Sequence, residues 1–434
     1  MNNKLIYPYT NMNQQLENPP FVVKSGKNIY VYDRCGMEYI DGVSSLYNVS
    51  LGYDNKDLIS VAIEQFKKLP FYGSFNNQTN IEAIKLACKL SSIAPIRNAH
   101  VFFACSGSEA NDTAVKFAWY YNNALNRSNK KIVLAFSNCY HGATIGAGSL
   151  TGPSSIHKDF DLPIRNIQHL PAPEDIYEGS CSSKTVDFAI QKMEKTILSI
   201  SPDRIAAFIL EPIFSCPGVF IPSSDYLRKL ESLLRKYDIL LIADEIVTSF
   251  FRSGSMFRSQ EIGIHPDIIT ISKGLAASYQ PISAVVISDK IFSVFLDHVR
   301  EPDVFCHGFT YSAHPVAAAV ANKAIEIYSK DSFKKNIELT CNIFKEKMLE
   351  LYQFKFVKHV RQVGMIAGVE FDAQEIKAEQ IVLMARKNGL LLRSAGNTVI
   401  LAPPLIISLA QIDEVFFRLR NTIKTLSRSS LNNK

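Results

Sequence analysis

The sequence predicts an α/β fold built around a mostly parallel sheet, and three observations lead to this prediction. Short apolar runs alternate with amphipathic segments across residues 101–287, a pattern typical of βαβ units. Polar residues follow each run, and ligands of open sheets bind at the carboxyl ends of parallel strands. The length of 434 residues is too great for one ordinary core, so a second, smaller unit is expected.

The composition is that of a globular enzyme rather than a nucleic-acid-binding protein. Hydrophobic residues make up 47% of the chain and charged residues 20%. The net charge is +6, but Lys and Arg are scattered without a basic block. The eight cysteines show neither CxxC nor metal-ligand spacing, which indicates buried thiols in a reducing compartment and no metal site.

The N-terminus lacks a signal-peptide pattern and no apolar run reaches about 18 residues, so we expect a cytoplasmic protein without a membrane span.

The N-terminal part predicts an arm, a hairpin and two helices. Residues 1–28 are polar and contain proline, which favours an arm. Residues 28–32 and 37–40 alternate around a Gly-containing turn and predict a β-hairpin. Apolar residues recur with helical spacing at 56–69 and 80–93.

A Ser-Gly-Ser turn follows the first strand of the predicted sheet. The strand covers residues 101–105, and a helix begins directly after Ser106, Gly107 and Ser108. The free N–H groups and positive dipole end of such a helix suit a phosphate. The alternative is an ordinary helix cap made by serine.

The next two strands also end in polar residues. The strand at 131–136 is followed by Tyr140 and His141, and the strand at 205–210 ends at Glu211. The Tyr140 ring could stack on a flat cofactor, although a lone Tyr-His pair is more often ordinary packing.

Two further strands bring a carboxylate and a lysine to the same edge of the sheet. A helix is predicted at 225–237, and the buried strand at 239–243 then ends at Asp244. The run at 268–271 ends just before Lys273. A buried lysine at this edge loses its proton more easily and can attack a carbonyl. The alternative is a structural Asp–Lys ion pair that caps two strands.

These signals together are the inventory that pyridoxal 5′-phosphate requires: a phosphate turn, an aromatic ring, a carboxylate for the pyridine nitrogen and a lysine for the Schiff base. The chain resembles class III aminotransferases, the ω-aminotransferase group of fold-type I pyridoxal-phosphate enzymes, from about Tyr7 to beyond Leu405. The matching motifs, in the family order, are SGSEANDTAVK (106–116), YHGAT (140–144), EP (211–212), ADEI (243–246), ISKGL (271–275) and HGFTYSAHPVAAA (307–319).

The resemblance implies two domains. A large, mostly parallel seven-stranded α/β/α domain is expected at 60–315. Residues 1–59 and 316–434 should form a discontinuous small α+β domain. Small-domain elements are expected at 316–328, 364–371 and 398–401.

The resemblance also implies roles for individual residues. Lys273 corresponds to the Schiff-base lysine that carries the proton, and Asp244 to the partner of the pyridine nitrogen. Tyr140 and Ile246 correspond to the residues on the two faces of the ring. Further cofactor contacts are expected from Ser106, Gly107, Ser108, His141, Glu211 and Thr310.

Thr310 matches the residue that reaches the phosphate of the neighbouring subunit's cofactor, so a homodimer with shared sites is expected. Arg393 is similar to the arginine that binds a substrate carboxylate, and Glu211 to the glutamate that can pair with it. Tyr47 and Tyr140 should line the substrate site. The alternative for Arg393 is a surface position on a small-domain strand.

One loop departs from the family pattern. The family commonly reads TGFGRTG after the Asp-Glu pair, whereas residues 248–254 read TSFFRSG. The loss of two glycines should reshape this loop, so a substrate role for Arg252 is not expected.

The predicted activity is transfer of an amino group from an ω-amino acid or amine to a keto acid, pyruvate or 2-oxoglutarate, by a ping-pong mechanism. One alternative is a diaminopelargonic-acid synthase, although that group usually has two tryptophans where Leu46 and Tyr47 stand. A decarboxylase or racemase on the same site, or a non-enzymatic scaffold, are the others. Intact Lys273 and Asp244 argue against the scaffold.

Overall fold

The computed structural model describes residues 4–17, 20–178, 181–298 and 304–431. The strands of this part are β1 (Val23–Lys27), β2 (Tyr30–Asp33), β3 (Glu38–Asp41), β4 (His100–Ala104), β5 (Ile132–Phe136), β6 (Ile167–Leu170), β7 (Ile205–Leu210), β8 (Leu240–Asp244), β9 (Ile268–Ile271), β10 (Ser283–Ile287), β11 (Val357–Val363), β12 (Ile366–Phe371), β13 (Leu390–Leu391), β14 (Arg393–Ala395) and β15 (Thr398–Leu401).

The α-helices are α1 (Met12–Glu17), α2 (Ser44–Tyr47), α3 (Lys56–Lys68), α4 (Ile81–Ile93), α5 (Gly107–Ala124), α6 (Ile145–Leu150), α7 (Ser154–His157), α8 (Ser183–Ile200), α9 (Ser224–Lys236), α10 (Arg258–Ile262), α11 (Asp289–His298), α12 (Pro315–Ser329), α13 (Asp331–Leu349), α14 (Ala378–Lys387) and α15 (Leu409–Leu431). Short 3₁₀ helices lie at Pro202–Arg204, Lys273–Ala276 and Glu350–Gln353.

The large sheet has seven strands in the order β4-β10-β9-β8-β7-β5-β6. Strand β10 runs antiparallel to its neighbours β4 and β9. The remaining pairs, β9 with β8, β8 with β7, β7 with β5 and β5 with β6, are parallel. The predicted seven-stranded, mostly parallel sheet is therefore confirmed.

Helices cover both faces of this sheet, which explains why its strands are apolar along their whole length. Val133 and Ala135 of β5 lie in the core beneath α5 and α11. Leu134 and Phe136 point to the opposite face, into the core beneath α8 and α9. Because both faces are buried, the polar residues that follow β7, β8 and β9 gather at the carboxyl edge of the sheet.

The structure has two smaller sheets, and the first of them joins the two ends of the chain. The hairpin strands β1, β2 and β3 are antiparallel, and β13 of the C-terminal part pairs in parallel with β3. Strands β11, β12, β15 and β14 form a second, antiparallel sheet. A separate smaller unit of the predicted α+β type is thus present, and α12 occupies the position expected for the long helix. The domain boundaries at 59/60 and 315/316 remain a prediction.

Two expectations need correction. The predicted N-terminal arm contains α1 and β1. Strand β1 was not predicted because most of its side chains are exposed, so its sequence shows no alternation of apolar and polar residues. The cysteines are also less buried than expected: Cys139 is buried, whereas Cys35, Cys88 and Cys306 are exposed. None of the helices in the described ranges has the length and apolar run that a membrane crossing needs.

Candidate active site

Lys273 lies directly beyond β9, at the carboxyl edge of the large sheet. Its φ is +30°, an unusual value for a residue with a side chain, and such strain tends to occur at functional sites. Burial lowers the pKa of Lys273, while the carboxylates of Asp244 and Glu211 act in the opposite direction. The lysine is therefore easier to deprotonate than an exposed one.

Three donors hold the Asp244 carboxylate at the end of β8. Its Oδ2 accepts hydrogen bonds from Asn111 Nδ2 and His141 Nδ1, both at 2.8 Å, and its Oδ1 accepts one from the backbone N–H of Ile246 at 3.1 Å. Asn111 is itself held, because its Oδ1 accepts a hydrogen bond from Thr270 Oγ1 at 2.8 Å. A carboxylate offers about four acceptor positions, so Oδ1 retains capacity for one more donor, as a protonated ring nitrogen would be.

Ser106 is the N-cap of α5. Its Oγ accepts a hydrogen bond from Glu109 N at 3.2 Å, and Glu109 Oε2 accepts one from Ser106 N at 3.2 Å. This reciprocal arrangement is a capping box. The interpretation of Ser106 as a helix cap is therefore correct, and its predicted phosphate contact remains a prediction.

Gly107 and Ser108 bring the start of α5 close to two neighbouring segments. A Cβ atom at Gly107 would lie 2.8 Å from Ile246 Cδ1, so a larger residue there would push the Ile246 side chain aside. Ser108 Oγ accepts a hydrogen bond from Ala143 N at 3.1 Å. The positive end of the α5 dipole thus lies beside the buried side chain of Ile246, which was predicted to flank the ring.

Tyr140 and Glu211 lie side by side, as expected for two neighbouring strand ends. Tyr140 N donates to Glu211 Oε1 at 2.9 Å, and the Tyr140 hydroxyl lies 3.2 Å from that of Tyr9. Glu211 Oε2 accepts hydrogen bonds from Ser215 Oγ at 2.5 Å and Ser215 N at 3.3 Å. Burial raises the pKa of both Tyr140 and Glu211. Within the described ranges Glu211 makes no ion pair with Arg393, so their predicted pairing is not seen in this state.

Arg393 is exposed on β14, and its guanidinium lies 5.6 Å from the centre of the Tyr47 ring. The Tyr47 side chain is buried. The structure therefore brings together two of the three residues predicted to line the substrate site, and these two come from opposite ends of the chain.

Thr310 is exposed, and the segment that carries it is fixed to α5 by His307. His307 Nδ1 accepts a hydrogen bond from Lys116 Nζ at 2.7 Å, so Nε2 carries the proton that faces Thr113 Oγ1 at 2.9 Å. The imidazole also stacks on Phe102, with 5.1 Å between ring centres. Burial, with the Lys116 charge, lowers the pKa of His307 to about 4. The exposed position of Thr310 suits its predicted contact with a neighbouring subunit.

Arg252 is enclosed by protein and is 1% exposed. Its Nη1 donates to the carbonyl oxygens of Met365 at 2.9 Å and Pro403 at 2.7 Å, and its Nη2 donates to Ser44 Oγ at 3.0 Å. These donors are engaged inside the protein and are not available to a substrate carboxylate.

Sequence reasoning assigned no role to Asn111, Tyr9 or His307. Asn111 and His307 both lie in motifs that carried the family resemblance (106–116 and 307–319). Their side chains act on residues distant along the chain, which a single sequence does not show. Tyr9 lies in the matching N-terminal stretch, and its contact with Tyr140 depends on how the arm folds back.

The residues present fit pyridoxal phosphate. Lys273 has a lowered pKa, Asp244 has spare acceptor capacity at Oδ1, and Ile246 presents an apolar surface beside a helix start. This set of groups is the one that the cofactor's amine linkage, ring nitrogen, ring face and phosphate require. Fold and site together define a pyridoxal-phosphate-dependent transferase.

A family profile described as "Aminotransferase class-III" matches residues 11–423. The chain therefore belongs to the class III aminotransferases.

Individual relatives agree with this assignment. A protein named probable gamma-aminobutyrate transaminase 3, mitochondrial, from Oryza sativa subsp. indica is 37% identical over 434 residues, which cover 97% of this chain and 85% of the relative. Vanillin aminotransferase from Capsicum frutescens is 36% identical over 429 residues, or 96% and 93% of the two chains. An omega transaminase from Pseudomonas jessenii, solved in complex with PMP, has a TM-score of 0.94 at 35% identity and covers 98% of this chain and 97% of its own. The protein is thus a transaminase whose cofactor is pyridoxal phosphate.

Proposed function

We propose that this transaminase moves an amino group from an ω-amino acid or amine donor to a keto acid, pyruvate or 2-oxoglutarate, in a ping-pong reaction. The observation that carries the proposal is the exposed guanidinium of Arg393 above the Tyr47 ring. It makes no ion pair within the described part of the chain, so it is free to bind a carboxylate bidentately. Relatives named gamma-aminobutyrate and omega transaminases support the ω-amino acid branch.

Lys273 would hold the cofactor covalently through Nζ and carry a proton during the reaction. When bound, pyridoxal phosphate accepts electron density from the substrate carbon into its ring. Because burial lowers its pKa, Lys273 can be neutral at Nζ and can accept the substrate proton. Proton transfer by a positioned base contributes about 10²–10⁴-fold to the rate.

Asp244 would keep a proton on the ring nitrogen. The hydrogen bonds from Asn111 and His141 to Oδ2 orient the carboxylate and leave Oδ1 facing a single backbone donor. A carboxylate oriented in this way stabilises the charged, electron-accepting form of the ring. Tyr140 and Ile246 would flank the ring and exclude water from its faces.

Assembly and location are part of the proposal. The exposed position of Thr310 supports a homodimer in which this residue contacts the neighbouring cofactor. We retain a cytoplasmic location, although the rice relative is named as mitochondrial. No partners other than small-molecule substrates and a second copy of the chain are proposed.

A panel of donors and acceptors tests the proposal. The donors are γ-aminobutyrate, a simple primary amine and an α-amino acid, each with pyruvate or 2-oxoglutarate. We expect the first two donors to be active, and each donor alone should convert the cofactor absorbance to that of its amine form in one half-reaction. Lys273→Ala serves as the inactive control. Release of CO₂ or racemisation without this conversion would instead show a decarboxylase or racemase.

A further inference from the structure

The segment that carries Tyr47 is strained. Ser44, Ser45 and Tyr47 have φ values of +48°, +59° and +66°, and the ψ of −90° at Ser45 takes that residue outside the left-handed helical region as well. Each such residue costs on the order of 1–3 kcal/mol and persists only where surrounding contacts enforce it. The contacts that hold this segment therefore decide where the Tyr47 ring lies.

Two anchors hold the strained segment. Asp41 accepts hydrogen bonds from Val43 N at 3.1 Å and from Ser45 N at 2.6 Å. Ser44 Oγ donates to the carbonyl oxygen of Ala402 at 2.7 Å and accepts a hydrogen bond from Arg252 Nη2 at 3.0 Å. The second anchor thus depends on a side chain 208 residues away.

The burial of the Arg252 charge is unfavourable for the stability of the fold. No carboxylate pairs with it in the described ranges, and its Nε has no hydrogen-bond partner there. Burial lowers its pKa to about 10, and the Asp41 charge opposes this, so it stays charged near neutral pH. An unpaired buried charge destabilises a fold unless its contacts give something in return.

The contacts of Arg252 join three separate parts of the chain. Besides Ser44, it binds the carbonyl oxygens of Met365, beside the β11–β12 turn, and Pro403, beyond β15. The loop that carries Arg252 packs tightly against the β11–β12 turn, because a Cβ atom at Gly364 would lie 2.2 Å from the backbone carbon of Ser253. Arg252 is therefore held firmly in place, and its hydrogen bond to Ser44 can restrict the position of the strained segment.

We propose that Arg252 is a positioning residue for substrate recognition: through Ser44 it holds the strained segment 44–47, and so sets the position of the Tyr47 ring that supports Arg393. This inference rests on the proposed function and deepens it. On this proposal, Arg252 influences substrate binding without touching the substrate.

The test compares variants with the parent by steady-state kinetics, and KM and kcat are measured on the cofactor-loaded enzyme. Arg252→Lys keeps the charge but cannot reach all three acceptors. We expect it to raise KM for the keto acid by about tenfold, with kcat and the cofactor absorbance within about twofold of the parent. Ser44→Ala, which removes only the bridging hydroxyl, should change KM in the same direction by a smaller factor, and it tests the same link if the lysine variant fails to fold.

Arg258→Lys is the matched control. Arg258 is also buried, at 4% exposure, and also has an unpaired Nε, but it binds Glu178 and Glu261 rather than Ser44. Its substitution should leave KM unchanged. An equal KM increase in this control would overturn the proposal, because any buried arginine would then have the same effect.

A second comparison uses Tyr47→Ala. If Arg252 acts through Tyr47, Arg252→Lys should change KM by less than about twofold once the Tyr47 ring is absent. A tenfold change in that background as well would overturn the proposal. The proposed function fails on a different result, retention of turnover by Lys273→Ala, so the two failures are distinguishable.

Discussion

At the scale of single residues, the site depends on how the groups around Lys273 and Asp244 restrict them. The carboxylate of Asp244 is oriented by an amide, an imidazole and a backbone N–H. The lysine has an unusual backbone conformation and a lowered pKa. The hydrogen bonds therefore orient the carboxylate, and burial makes the lysine easier to deprotonate.

Lys273→Ala should abolish turnover and the visible absorbance band of the bound cofactor. The reason is that no amine would remain at the end of β9 to hold the cofactor or carry the proton. Absorbance spectra and a transamination assay measure both effects, and size-exclusion chromatography checks that the variant is folded. Normal activity in this variant would remove the basis of the proposed mechanism.

Asp244→Asn should still bind the cofactor but lose kcat by orders of magnitude. A neutral amide keeps the shape of the side chain but does not stabilise a protonated ring nitrogen. Cofactor content and kcat are measured on the same preparation. If kcat is retained, the proton on the ring is held by another group.

Arg393→Ala should raise KM for the keto acid at least tenfold, which corresponds to about 1.4 kcal/mol of binding. The loss of bidentate carboxylate binding is the cause, so a simple amine donor should be affected much less. Steady-state kinetics with both substrates varied separate the two values. Equal losses for both substrates would indicate a structural role for Arg393, with the carboxylate anchor located elsewhere.

At the scale of elements, α5 links two parts of the site. Its first turn lies beside Ile246, and farther along it holds the segment of Thr310 through Lys116, Thr113 and His307. One rigid helix thus fixes both the predicted phosphate turn and the residue predicted to act in the neighbouring subunit.

This helix contact should make stability depend on pH. The pKa of His307 is about 4 in the folded chain, against 6.5 for an ordinary histidine. Between these values the unfolded chain binds more protons than the folded one, so the contribution of His307 to stability is greatest above pH 6.5 and decreases as the pH falls toward 4. The Tm of the parent should therefore fall relative to that of His307→Phe, which keeps a ring against Phe102, as the pH is lowered from 6.5 toward 4. A difference that is constant with pH would contradict the neutral state of His307.

At the scale of the whole molecule, the sequence predicted the main architecture, because buried parallel strands leave clear apolar runs that end in polar residues. The placement of Lys273 and Asp244 at one edge of the sheet was predictable for the same reason. The role of Asn111 could not be predicted, since its bond to Asp244 joins residues 133 positions apart. The structural role of Arg252 could not be predicted either, because the sequence does not show that an arginine in a loop is buried.

The proposed dimer can be tested with mixed subunits. Thr310→Ala alone should weaken cofactor retention, because the neighbouring site loses a phosphate contact. Dimers that combine one Thr310→Ala chain with one Lys273→Ala chain should regain retention at the site that has both Lys273 and Thr310. Cofactor release by gel filtration measures the effect. Mixtures that release cofactor as fast as the Thr310→Ala parent would show that Thr310 acts within its own subunit.

The pairing of β3 with β13 has a consequence for the order of folding during synthesis. Residue Asp41 pairs with Leu391, so the edge of β3 lacks its partner until almost the entire chain has been made. At translation rates of about 5–20 residues per second this delay lasts roughly 20–70 s. The strands of the large sheet lie within one continuous stretch and emerge from the ribosome earlier. The sheet that joins the two ends of the chain is therefore completed well after the strands of the large sheet have emerged, and until then its open strand edge is a point at which nascent chains can associate with one another.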